Sequence, residues 1–290
     1  MQAWSFSRRA PVNRGQPVFD RQMRYDNMSP QNQNATMERM LKIREVQAKG
    51  ILNKSKIYEY CVNCYTGCEH HCRYCYASLF MRRYSGHVEP WGEFVDVKIN
   101  APEVLQKQVR RAKKGVVWLS SVCDAYQPLE AGYKLTRRCL EVLAAAEFPA
   151  TVQSKSVLLL RDIDVFRRFK DIEVGFTIAT DDDRVSRLVE PGASPVSERI
   201  AALADLKAAG LRTFAFIGPI LPADPEALVA ALDGKADRIL IDRMNYVGQF
   251  RTFFVRHKME RAMTDAFFAD MTRRLAGELK RRRMAFEVVF

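Results

Sequence analysis

Six short apolar runs, separated by stretches with helical patterns, constrain this chain more than any other feature of its sequence. The runs are Ile57–Cys61, Val116–Ser121, Ala150–Gln153, Glu173–Ile178, Arg212–Ile217 and Arg238–Ile241. Between them lie Pro102–Lys113, Leu135–Ala146, Ile163–Phe169, Pro195–Ala209 and Pro225–Leu232, which read as helices. Strands alternating with helices predict parallel βαβ units, because a parallel neighbour is reached only by a crossover long enough to hold a helix. Ser194 is a candidate cap for the fourth helix and Gly210 a candidate stop. The alternation suits a barrel-like or a doubly wound sheet and does not choose between them.

The pattern divides the chain into an N-terminal extension over 1–53, an α/β domain over 54–243 and a basic C-terminal segment over 244–290. A helix is predicted at Thr36–Lys49, ending at Gly50, and a long basic one at Glu260–Arg283, followed by a strand-like end, Phe286–Phe290. With 46 Lys+Arg against 34 Asp+Glu, the net charge of +12 favours polyanionic partners such as nucleic acid. Asn245–Lys258 (NYVGQFRTFFVRHK) interleaves aromatics with cations, a mixture that stacks bases and tracks phosphates, or that covers a core under a loop. Arg273, Arg274 and Lys280–Arg283 add to the basic balance. No early run resembles a signal peptide, and no window approaches the roughly 18 apolar residues of a membrane span. The expectation is a cytoplasmic protein with no membrane partner.

Five of the seven cysteines fall between Cys61 and Cys75. In a reducing compartment such crowding points to metal or redox chemistry rather than disulfides. Cys68, Cys72 and Cys75 have the spacing C-x3-C-x2-C. An iron–sulfur cubane normally takes four thiolates, so three on one loop hold three irons and leave the fourth open. An open metal position is where a small molecule can bind. The competing reading is structural zinc, from Cys61-x2-Cys64 and Cys72-x2-Cys75 with His70 and His71 nearby. Only the seven residues 65–71 separate those pairs, short of the ~15–20 of a zinc ribbon. The two histidines then read as loop residues rather than ligands.

The segment Asn63–Ala77 (NCYTGCEHHCRYCYA) resembles the radical S-adenosylmethionine (SAM) superfamily, and more narrowly its spore photoproduct lyase-related, "DNA repair photolyase-like" branch. Asp124-Ala-Tyr-Gln-Pro128, Ser154-Lys155-Ser156 with the leucines and Arg-Asp that follow, and Leu188–Pro195 extend the resemblance in family order over about residues 53–222. It implies a partial (β/α)6 TIM-type barrel, open on one side, with a [4Fe–4S] cluster on the loop after the first strand. Cys68, Cys72 and Cys75 would hold the cluster. Its open iron would chelate SAM, and one electron would cleave SAM to a 5′-deoxyadenosyl radical.

By the same resemblance, Tyr74 and Tyr76 flank the adenine and methionyl parts of SAM. Cys123 and Asp124 face its amino group or ribose, Lys155 its carboxylate and Thr177 its ribose. Backbone at Gly218 approaches the adenine. These positions fall at the C-terminal ends of predicted strands, where barrels of this type build their sites. Cys123 is also the candidate for a catalytic thiol. Asp242, Arg243, Asn245 and Tyr246 end the sixth strand and could contact substrate, or close the open edge with a salt bridge.

The chain departs from the family pattern at Cys64, where Pro is usual, and at the additional Cys61; Cys139 reads as core. In spore photoproduct lyase a cysteine three residues before the SAM-binding acid donates hydrogen. Here that position is Ser121, which argues against the thymine-dimer lyase reaction. The implied partners are a reductant such as ferredoxin or flavodoxin and a substrate. Nucleic acid leads among substrates, with a peptide, protein or small molecule as the alternative. A non-catalytic, metal-containing nucleic-acid-binding protein is the remaining reading.

Overall fold

A computed structural model of the chain describes residues 41–290. Its strands are β1 (Lys42–Val46), β2 (Leu52–Lys54), β3 (Tyr60–Val62), β4 (Tyr65–Thr66), β5 (Phe94–Lys98), β6 (Val117–Leu119), β7 (Ala150–Ser154), β8 (Ile172–Thr177), β9 (Arg212–Ile217), β10 (Arg238–Ile241) and β11 (Ala285–Val288). Eight of them form one sheet in the order β11-β10-β9-β8-β7-β6-β3-β2. Every pairing in it is parallel except β2 with β3. The six strands β3 and β6–β10 thus stand in chain order. This is the mixed α/β architecture of a partial TIM-type barrel.

The core explains the arrangement. All six positions of β8 are buried, as for a parallel strand covered on both faces. The helix Leu135–Ala145 buries Leu135, Cys139, Leu140 and Leu143, and Val196–Ala208 buries Val196, Ile200, Leu203 and Leu206. Such one-sided burial at three- and four-residue spacing is what docks a helix on a sheet.

Three expectations need correction. Within the predicted helix Thr36–Lys49, the described part forms strand β1, paired in parallel with β5 over Lys42↔Phe94 to Val46↔Lys98; Thr36–Met40 lie outside the described residues. The partner β5 is not among the six apolar runs, and this long-range pairing overrides the local helical spacing. With β4 these two make a second sheet, β1-β5-β4. Ser194 does not cap its helix, which begins at Val196 after Pro195; its Oγ accepts instead from Val157 N at 3.1 Å. The long basic helix is interrupted: a 3-10 turn spans Glu260–Met263, Thr264 is extended, and the helix proper runs Asp265–Arg281. Thr264 Oγ1 accepts from Phe267 N at 3.1 Å, an N-cap that starts a new helix. An additional helix, Val247–Arg256, follows β10.

Candidate active site

The cysteine loop leaves β4 at Gly67, whose φ is +94°. A Cβ there would lie 2.2 Å from Phe94 O, so only glycine lets the loop turn over β5. Cys68 and Cys72 are buried and Cys75 half-buried, all three as free thiols. Burial pushes each thiol up, and the neighbouring cysteines add to the rise for Cys68 and Cys72. Lys155 works the other way on Cys72 and Cys75. Three soft donors gathered in one loop under a cation fit iron, which displaces the thiol protons and takes the thiolate charge.

The zinc pairing is not formed. Cys64 Sγ lies 3.6 Å from Cys139 Sγ in the core, and Cys61 Sγ is 3.6 Å from Asn63 Nδ2, so neither joins Cys72 and Cys75. Among the described residues no three His, Cys, Asp or Glu side chains converge on a single ion. Cubane thiolates bind separate irons and stand farther apart than ligands of one ion.

Other strand ends brace this loop. Gln127 Oε1 accepts from Glu69 N at 3.0 Å, and Glu69 Oε1 accepts from Leu129 N at 2.7 Å. Asn63, at the end of β3, accepts from Ser121 N and Val122 N at 2.9 and 3.0 Å. Cys123 packs in one small cluster with Cys68 and Cys75. Its Sγ lies 3.5 Å from Tyr65 O, and burial pushes its pKa up to about 12. The Tyr76 hydroxyl donates to Ser121 O.

Asp124 follows β6 and is buried. Oδ1 accepts from Ser154 Oγ at 2.7 Å and from Tyr126 N at 2.9 Å. Oδ2 accepts from Lys155 N at 2.8 Å and lies 3.3 Å from His70 Nδ1. Burial alone raises this carboxyl, but His70, Lys155 and Ser154 outweigh it and hold it well below the usual carboxylate range. Lys155 Nζ sits 5.9 Å over the Tyr74 ring. Burial works against its ammonium, yet Cys72, Glu190, Asp124 and Cys75 together raise its pKa.

The Tyr74 hydroxyl donates to Glu190 Oε1. Glu190 Oε2 accepts from Arg199 Nη2 at 2.6 Å, and Arg199 Nη1 donates to Thr177 O at 2.7 Å. Thr177 Oγ1 accepts from Gln153 Nε2 at 2.9 Å. Tyr74 and Thr177 are therefore joined through two residues that sequence reasoning missed, and the charge of one of them, Glu190, also acts on Lys155. Glu190 lies inside the Leu188–Pro195 motif. Arg199 has a signal in its position: it shares the buried helix face with Val196 and Leu203.

The candidates after β10 are less gathered. Asp242 is half-buried, and a Cβ on Gly218 would lie 3.0 Å from Asp242 Cβ. Burial raises its carboxyl against a smaller pull from Arg243. Arg243 turns outward to Asp265 at 2.6 Å, beside Phe268 and Phe290. Asn245 is exposed, as is Tyr246 at 54%. The helix Val247–Arg256 does reach the cysteine loop: the Arg73 guanidinium lies 5.7 Å over Phe253. By contrast, Arg273, Arg274, Arg281 and Arg282 each pair with a carboxylate, on Asp270, Glu226, Glu278, and Glu278 with Asp233.

A parallel six-stranded core with a three-cysteine loop and a half-buried lysine at its C-terminal rim defines a class of cluster-bearing barrel enzymes. Residues 62–233 match the profile of the Radical SAM superfamily, and the chain belongs to that superfamily. It is an enzyme whose cofactors are a [4Fe–4S] cluster and SAM. An uncharacterized protein of Methanocaldococcus jannaschii is 38% identical over 189 residues, 64% of this chain and 70% of the relative. An uncharacterized protein of Mycobacterium tuberculosis is 30% identical over 200 residues, 61% of this chain and 56% of its own length. Spore photoproduct lyase complexed with dinucleoside spore photoproduct shares the fold, with a TM-score of 0.64 at 16% identity over 85% of this chain and 81% of that one.

Proposed function

We propose that this radical SAM enzyme abstracts hydrogen from a nucleic-acid substrate at a cluster held by Cys68, Cys72 and Cys75. Residues 54–243 carry the chemistry and residues 244–290 the substrate surface. When bound, the cluster and SAM supply a 5′-deoxyadenosyl radical, at the expense of one electron from a ferredoxin- or flavodoxin-like reductant. The chain's own residues hold and orient. Lys155 pairs with the SAM carboxylate, Tyr74 and Tyr76 border SAM, and Thr177 and the Gly218 backbone line the ribose and adenine. Asp124 acts by fixing Lys155 and Ser154 rather than by leaving an oxygen free for SAM. Cys123, a protonated thiol beside the loop, faces the same space. Asp242, Arg243, Asn245 and Tyr246 mark the substrate side. Ser121 carries a hydroxyl where the lyase has its hydrogen-donating thiol, so thymine-dimer reversal is not the reaction we assign.

The observation that carries the nucleic-acid reading is the Arg73–Phe253 contact, which sets an aromatic-basic helix against the cysteine loop. On and after that helix, Arg251, Arg256 and Lys258 are exposed. Cations beside aromatic faces suit a phosphate backbone with stacked bases. The solved complex of spore photoproduct lyase with a dinucleoside supports the same reading. The test is an anaerobic oligonucleotide titration at two salt concentrations. The parent should bind more tightly at low salt. Changing Arg251, Arg256 and Lys258 together to Ser should weaken binding. It should also flatten the salt slope by about 0.9 for each duplex-DNA phosphate that the variant no longer neutralises. No binding at low salt, or equal binding by the variant, moves the substrate to a peptide, protein or small molecule.

A further inference from the structure

We propose that the segment Val189–Ser194 is a clamp that sets the separation between the cysteine loop and Lys155, with Glu190 and Arg199 as positioning residues. The inference rests on the reading that Lys155 meets SAM.

The segment reaches both halves of the site. On one side it holds the cysteine loop at three points. Val189 O accepts from Arg73 N at 2.8 Å, Gly192 N donates to His70 O at 3.1 Å, and Glu190 accepts from the Tyr74 hydroxyl. On the other side Ser194 N donates to Lys155 O at 3.0 Å, and Ser194 Oγ accepts from Val157 N at 3.1 Å. Gly192 lies so close to the loop that a Cβ would stand 2.4 Å from Glu69 O.

The lock on this segment is buried. Glu190 is 1% exposed and Arg199 0%. Arg199 donates to Glu190 Oε2, to Ser186 Oγ at 2.7 Å and to Thr177 O at the end of β8. A chain of hydrogen bonds therefore runs from the end of β8, through Arg199 and Glu190, to Tyr74 between the second and third cysteines. A buried ion pair is weak evidence for stability, since apolar residues of equal volume often do as well. What it supplies here is direction: the rigid guanidinium fork fixes how the carboxylate faces Tyr74.

The test uses the anaerobically reconstituted full chain carrying Glu190→Gln, Tyr74→Phe, Gly192→Ala, Arg199→Lys or Lys155→Ala. Three quantities are read: iron per chain, melting temperature, and the SAM dissociation constant from the change in the cluster's electron paramagnetic resonance spectrum. Glu190→Gln and Tyr74→Phe should keep full iron while raising the SAM dissociation constant at least fivefold, and Gly192→Ala should also weaken SAM. Arg199→Lys, which keeps the charge and loses the fork, should fall between parent and Glu190→Gln. The double Glu190→Gln/Lys155→Ala should bind SAM no more weakly than Lys155→Ala, because both changes act through one ammonium. If Glu190→Gln does not fold, Glu190→Gln/Arg199→Met, which removes both charges, replaces it with the same expectation. Weakened SAM in Lys155→Ala with parent-like affinity in the Glu190 variant overturns the clamp, even if the melting temperature falls. Unchanged affinity in Lys155→Ala overturns the reading of Lys155 itself.

Discussion

Both carboxylate oxygens of Asp124 are engaged by the chain, on Ser154, Tyr126, Lys155 and beside His70. Its folded-state pKa lies below that of a free carboxylate, so its stabilisation is complete above the ordinary range near pH 4 and is lost as pH falls toward the folded value. Thermal melting of the parent should therefore fall progressively as pH drops below about 5, more steeply than melting of Asp124→Asn. At pH 7 the variant should be about 1–3 kcal/mol less stable, from the hydrogen bonds to a buried charge that it loses. Replacing Cys68, Cys72 or Cys75 with Ala should abolish the cluster in iron and sulfide analysis, whereas Cys61→Ala should keep it. A full cubane in Cys72→Ala would contradict the ligand assignment. At this scale the sequence displays what is contiguous: the cysteine spacing, and Asp124 and Lys155 directly after apolar runs. It does not display the role of Glu190 and Arg199, because Tyr74, the partner of Glu190, lies 116 residues away and only folding joins them.

The elements are legible wherever the apolar pattern has one interpretation. Arg212–Ile217, Arg238–Ile241 and Pro225–Leu232 fall where their sequences place them. Lys42–Val46 does not, since Leu41, Ile43 and Val46 suit a helix face as well as a strand, and a partner some fifty residues away decides. In the last helix, charge misleads. Its basic run suggests a polyanion surface, yet Arg273, Arg274, Arg281 and Arg282 are paired with neighbouring acids, and the helix packs on Pro225–Leu232. Changing these four to Ser should leave the salt dependence of oligonucleotide binding close to the parent's, in contrast to the Arg251, Arg256 and Lys258 variant. A slope flattened equally by both sets would shift the binding surface to the outer helices. Thr264→Ala, which deletes the cap at the break before this helix, should cost about 1 kcal/mol in chemical unfolding.

For the whole molecule, iron and stability should be linked. The cysteine loop is tied to β5 through the β4 pairing that precedes it, to the turn after β6 through Gln127 and to the clamp through Gly192. Iron that binds the folded loop and not the unfolded chain must raise the melting temperature. Anaerobic reconstitution should therefore raise the midpoint, and chelation should return it to the apoprotein value. An equal midpoint in both states would mean that iron binds the folded loop no more tightly than the unfolded chain.

Among the described residues the main sheet runs from β11 to β2 without those two strands pairing with each other. The candidate site lies where the strand ends meet their loops, on a rim rather than inside a bore. A polymer laid across a rim keeps both of its ends free. If the substrate is a polymer, the unit that reacts need not be terminal, and modification in the middle of an uncut strand is a geometric option. Circular and linear forms of one oligonucleotide would then serve equally well.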